Sequence, residues 1–76
     1  MDAVVNEFVQ LLRRHHVRVS PAESLDALRA LQAAGLGERA VVRDTLRATL
    51  IKSTEDAATF ERLFDLFFDL HQASLA

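Results

Sequence analysis

Apolar residues recur along this chain at three- and four-residue steps, in four runs separated by short polar or glycine-containing stretches. In the first run Val4, Val5, Phe8, Leu11 and Leu12 share one side while Asn6, Gln10, Arg13 and Arg14 occupy the other, which predicts an amphipathic helix over residues 3–16. Val17, Arg18 and Val19 are rich in β-branched side chains, but the segment is short and nothing else in the chain pairs with it, so it reads as an extended connector. Ser20-Pro21-Ala22-Glu23 is the sharpest local signal. A serine hydroxyl accepts from a free helix N–H, proline fits the first helical position, and glutamate stands where a capping box needs its carboxylate. A helix over residues 21–34 follows, with Leu25, Leu28 and Leu31 as its buried stripe and Gly35 as a left-handed stop.

The helical pattern resumes at Glu38, with Val42, Leu46, Thr49 and Leu50 on one side, and predicts a third helix over residues 38–52. Ser53-Thr54-Glu55-Asp56 then supplies a second polar cap, with acids in the first turn where the helix dipole favours negative charge. This starts a fourth helix over residues 55–71. Connectors are short, and no run alternates with period two long enough to make a strand. The expected fold is all-α, a compact bundle or orthogonal array of about four short helices in a single domain spanning residues 1–76.

A chain of 76 residues with an apolar fraction of 50% suits one domain. At that size a single core supplies about 3–5 kcal/mol, and the absence of cysteine removes disulfides and thiolate zinc sites as reinforcement. Asp2, Glu7, Arg13, Arg14 and Arg18 interrupt the first twenty positions, leaving no long apolar stretch for export or membrane spanning, so a cytoplasmic location is expected. Nine basic against eleven acidic residues give a net charge of −2, unpromising for phosphate binding. The balance is uneven: residues 1–52 sum to +2 and residues 53–76 to −4, which places an acidic face on the last helix.

Candidate chemistry is sparse. His15 and His16 are adjacent, so on a helix they point about 100° apart and do not share a metal. Their position near a helix C-terminus suits the dipole instead, and His71, beside Asp69 and Gln72, receives the same reading. Ser20, Ser24, Ser53 and Ser74 fall at caps or helix ends, with no base beside them to form a nucleophile. Gly35 and Gly37 are the only glycines and no Gly-Lys-Ser/Thr follows them, which rules out a phosphate loop. Glu55-Asp56 is explained by the helix N-terminus. No catalytic residue, cofactor or metal site is expected.

Two charge stripes and one apolar arc remain as a candidate partner surface. Arg39, Arg43 and Arg47 lie four residues apart along the third helix, as do Glu61, Asp65 and Asp69 along the fourth. Either they meet a charged partner, or they face solvent and pair loosely across the bundle, at about 0–1 kcal/mol per exposed pair. On the fourth helix Phe60, Leu63, Phe64, Leu66, Phe67, Phe68 and Leu70 cover an arc of about 200°, roughly twice what one packed stripe needs. The helix is therefore touched on two sides, or part of it is an exposed docking surface. Phe60, Leu63, Phe64 and Phe67 are assigned to the core; Leu66 and Phe68, at the arc's edges, are divided evenly between core and surface.

Several segments together carry a resemblance: Phe8-Val9-Gln10-Leu11-Leu12-Arg13-Arg14, Arg18-Val19-Ser20-Pro21-Ala22-Glu23, Leu25-Asp26-Ala27-Leu28-Arg29-Ala30-Leu31, Leu46-Arg47-Ala48-Thr49-Leu50-Ile51-Lys52, and Phe60-Glu61-Arg62-Leu63-Phe64-Asp65-Leu66-Phe67-Phe68. In this order and spacing, over residues 4–70, the chain resembles the N-terminal helical region of CoxE-like proteins, which carry a von Willebrand factor A domain further along. That resemblance implies an adaptor working beside MoxR-type AAA+ ATPases in the maturation or remodelling of metalloenzymes such as molybdenum-containing carbon monoxide dehydrogenase. No Asp-x-Ser-x-Ser motif occurs before Ala76, so the A domain's metal-dependent binding is not carried over. The expectation is an excised N-terminal domain or a free-standing relative.

The leading expectation is a non-catalytic protein-interaction domain. Its partner is the rest of a parent protein, an AAA+ ATPase or a second copy, with no membrane contact. A DNA-binding helical domain is the competing class, motivated by the Arg39/Arg43/Arg47 stripe and the glycine-containing turn before it. The acidic balance and the lack of Tyr, Trp or a basic tail count against nucleic acid. An enzyme ranks last.

Overall fold

The first apolar run folds as α1 (Asp2–Arg14) in a computed structural model that describes residues 2–70. Three more helices follow among the described residues: α2 (Pro21–Ala34), α3 (Arg39–Leu50) and α4 (Thr54–Leu70). No strand occurs among them, and the four helices pack as an all-α bundle. The expected last position of the fourth helix, His71, lies outside the described residues, as does Ser74.

α1 ends two residues earlier than its sequence pattern predicts, for a local reason. His16 adopts φ 67°, turning the chain into the left-handed region. Its N–H donates to the Arg13 carbonyl at 3.1 Å while the Val17 N–H reaches back to the Leu12 carbonyl at 3.0 Å. These are the paired bonds of a Schellman closure, with a histidine where glycine is usual. The connector that follows is extended, as expected, and it contributes to the core through the buried side chains of Val17 and Val19. Arg13, expected on the polar face, is half-buried and donates from Nε (3.1 Å) and Nη2 (2.7 Å) to the Val19 carbonyl, fixing the connector against α1.

The capping box predicted for α2 is formed in both directions. The Glu23 N–H donates to Ser20 Oγ at 3.1 Å, and the Ser20 N–H donates to Glu23 Oε1 at 2.8 Å. The other carboxylate oxygen, Glu23 Oε2, is closed off from solvent and meets the ammonium of Lys52, in the connector between α3 and α4. One glutamate thus caps a helix and holds a distant loop to it. At the far end Gly35 stops the helix with φ 89°, as expected in sign, but its ψ of 170° takes it to an extended region open only to glycine rather than to a left-handed helical turn.

The buried stripe of α2 corrects the sequence expectation. Leu25 is 46% exposed and Leu28 only half-buried; Ala27 and Leu31 are the buried positions. Leu25 lies about 120° around the helix from Leu31. The face includes Ala27, fully buried despite its small side chain, and a pattern weighted by leucines misses it.

Val42, Leu46 and Leu50 bury the inner face of α3, while Thr45 and Thr49 donate back to carbonyls one turn earlier, Val41 at 2.7 Å and Thr45 at 2.9 Å. α4 opens one residue before its predicted start, with Ser53 Oγ accepting from the Asp56 N–H at 3.1 Å. α2 and α3 form the most extensive helix pair, α1 lies against both α2 and α4, and α3 closes the ring by touching α4.

Phe8 is the hub of the core. Its ring centroid lies 5.7 Å from Phe60, 6.1 Å from Phe64, 5.3 Å from Phe67 and 5.8 Å from Phe68, so one α1 side chain meets four aromatic rings of α4. Most of these contacts are edge-to-face, the geometry aromatic quadrupoles favour.

Candidate protein-docking surface

The wide apolar arc of α4 is flanked by α3 on one side and α1 on the other, and the two sides are finished differently. Toward α3, Arg39 donates to Asp69 at 2.7 Å and to Asp65 at 3.2 Å, and its guanidinium lies 5.6 Å from the Phe64 ring centroid. The hydrogen bond to Asp69 raises the Arg39 pKa further, so its charge is permanent. Arg43 comes within 3.8 Å of Glu61, and Arg47 within 4.0 Å of the same carboxylate. The two stripes singled out in the sequence therefore face each other along one seam. Their groups remain substantially exposed, and they are already partnered within the domain.

Phe68 is also partnered within the domain. It is 4% exposed and stacks on Phe64 with centroids 4.3 Å apart, which removes it from the candidate surface and makes it core. The reason is directional: Phe68 lies at the edge of the arc opposite Leu66, packed between Phe64 and the Phe8 ring of α1.

Toward α1 the arc is left open. Leu66 is 58% exposed and Leu70, one turn further on, 82% exposed. With Leu11, Leu63 and Phe67 they form the floor of an open groove of ≈ 860 Å³ between α1 and α4. Arg62 rims it on the α4 side, and Asn6, Glu7, Gln10, Arg14 and His15 rim it from α1. Among the described residues, no group of three or more His, Asp or Glu is placed to hold a metal ion, and no helix is long and apolar enough to cross a membrane.

The family model of the CoxE N-terminal helical bundle domain matches residues 5–71, nearly the whole chain and all four helices. The chain belongs to that family. No curated protein and no solved structure matches it.

In this CoxE N-terminal bundle, sequence reasoning located one edge of the groove and missed the other. Leu66 was a candidate from the width of the α4 arc. Leu11 shares the apolar side of α1 yet is only half-buried, and the pattern that puts Arg14 on the polar face of α1 does not relate it to Arg62 across the groove. Leu70 stands one turn beyond Leu66 on the same side of the arc, and both remain exposed over the groove. Helical periodicity identifies such faces but does not say which neighbour covers them.

Proposed function

We propose that this CoxE N-terminal bundle is a non-catalytic docking module that attaches a protein partner through the α1/α4 groove. Its setting is the one the family resemblance implies: in the cytoplasm, beside a MoxR-type AAA+ ATPase, during maturation or remodelling of a metalloenzyme. One observation carries the reading. Leu66 and Leu70 are the two most exposed large apolar side chains among the described residues, and they stand together on an apolar groove floor. Burying one such leucine gains about 1.5–3 kcal/mol, and paired apolar exposure of this kind marks interaction surfaces.

The DNA-binding alternative loses its main support, because Arg39, Arg43 and Arg47 are turned to the acids of α4. Calorimetric titration of the chain with the purified MoxR-type ATPase of the same source tests the proposal. The unmodified chain is expected to bind, and the Leu66→Ala/Leu70→Ala double variant to bind at least about tenfold more weakly at an unchanged melting temperature. No binding, or equal binding by both, contradicts it.

A further inference from the structure

The groove carries more information than its apolar floor, because its charges differ from those along the α3/α4 seam. Along the α3/α4 seam the arginines are committed to carboxylates of the same chain. At the groove, Arg14 on one rim and Arg62 on the other have no ion pair among the described residues, and Glu7, the groove's acid, is already engaged in a contact. Two uncommitted guanidinium groups thus bracket an apolar trough.

We infer that the occupant is an acidic amphipathic helix of another polypeptide, with apolar residues inserted between α1 and α4 and carboxylates on both flanks answering Arg14 and Arg62. This rests on the docking reading of the same groove and adds the partner's chemistry to it.

Three physical arguments select that occupant. The floor offers no backbone donors or acceptors in exchange, so a chain lying on it must satisfy its own hydrogen bonds, which a helix does and an isolated strand does not. The trough runs from Asn6 to Arg14 along α1 and from Arg62 to Leu70 along α4. At about 1.5 Å per residue this is room for roughly two to three helical turns. Arginine at a partly desolvated rim binds carboxylate bidentately, so acids on both flanks fix orientation as well as affinity. A second copy of the chain is a poorer occupant: a two-fold contact through this face brings Arg14 and Arg62 against an identical cationic rim.

The test is a displayed library of helix-stabilised peptides of about 12 residues. Leucines are fixed at helical i, i+4 and i+7 spacing, flank positions vary among Glu, Gln and Lys, and selection is against the full chain. The expected result is enrichment of Glu on both flanks, with amide shifts mapping to α1 and α4. The best peptide should lose about tenfold in affinity against Arg14→Gln and against Arg62→Gln, the size of a close interfacial charge pair.

Enrichment of Lys or Gln, or unchanged affinity for the arginine variants while Leu66→Ala abolishes binding, overturns the acidic chemistry and leaves the docking groove standing. Failure to enrich any peptide, shifts that map elsewhere, or self-association through the groove overturns both. Circular dichroism of each variant shows that the exposed substitutions leave the fold intact.

Discussion

Leu66 and Phe68 stand two residues apart on α4 and mark the two edges of its apolar arc; Phe68 is buried against Phe64, with the ring planes 25° apart, while Leu66 projects into the α1/α4 groove. The difference comes from their neighbours. Arg39 of α3 lies over the Phe64 ring beside the first, and no α1 side chain covers the second. Phe68→Ala is therefore expected to cost about 3–5 kcal/mol, as deletion of a buried phenylalanine does. Leu66→Ala should change stability by no more than about 0.5 kcal/mol. Urea melts followed by circular dichroism separate the two; equal losses would contradict the asymmetry.

Removing the Ser20 hydroxyl takes away half of the capping box. Ser20→Ala should destabilise by about 1 kcal/mol. An unchanged urea midpoint would mean the cap contributes nothing beyond what water supplies.

Glu23 links that cap to pH. The Lys52 contact above all, with the Ser20 backbone hydrogen bond next, lowers its pKa below the ordinary 4.5. A carboxylate whose folded pKa is depressed stabilises the fold above its unfolded pKa and loses that contribution as pH falls through the folded value. The stability gap between the unmodified chain and Glu23→Gln should be full at neutral pH and close progressively below about 4.5. A gap independent of pH would remove the Lys52–Glu23 contact from the account.

The ends of α1 and α2 make opposite predictions. His16 holds a positive φ that costs a non-glycine residue about 1 kcal/mol, so His16→Gly should raise stability by up to about that amount. Gly35→Ala should lower it by about 1–3 kcal/mol, because φ 89° with ψ 170° strains any side chain even though nothing crowds the position. Both effects are read from thermal midpoints, and a shift of the reverse sign at either site would mean that its backbone relaxes.

Much of this fold was legible from pattern alone. The capping box, the glycine stop and the cap at Ser53 are local events, decided by a few neighbouring residues, and they fixed the helix boundaries to within one or two positions. What stayed hidden depends on packing. Ala27 gives no hydrophobic signal, yet it belongs to the buried face of α2 while Leu25 turns outward. The charge stripes were visible as stripes, but only the packing of α3 on α4 shows that Arg39 and Asp69 face one another. The groove was hardest to foresee, since it consists of the part of α4 that α1 fails to cover, and no residue of α4 encodes the size of α1's side chains.

The central claim, that the α1/α4 groove is where this bundle attaches to a partner, is tested most directly by amide-resolved NMR of the isotope-labelled chain titrated with the MoxR-type ATPase. Shifts or broadening concentrated at Leu11, Arg14, Arg62, Leu66 and Leu70, and lost in the Leu66→Ala/Leu70→Ala variant, are the predicted result. Perturbations confined to α2 and α3, or a spectrum indifferent to the ATPase, would contradict it.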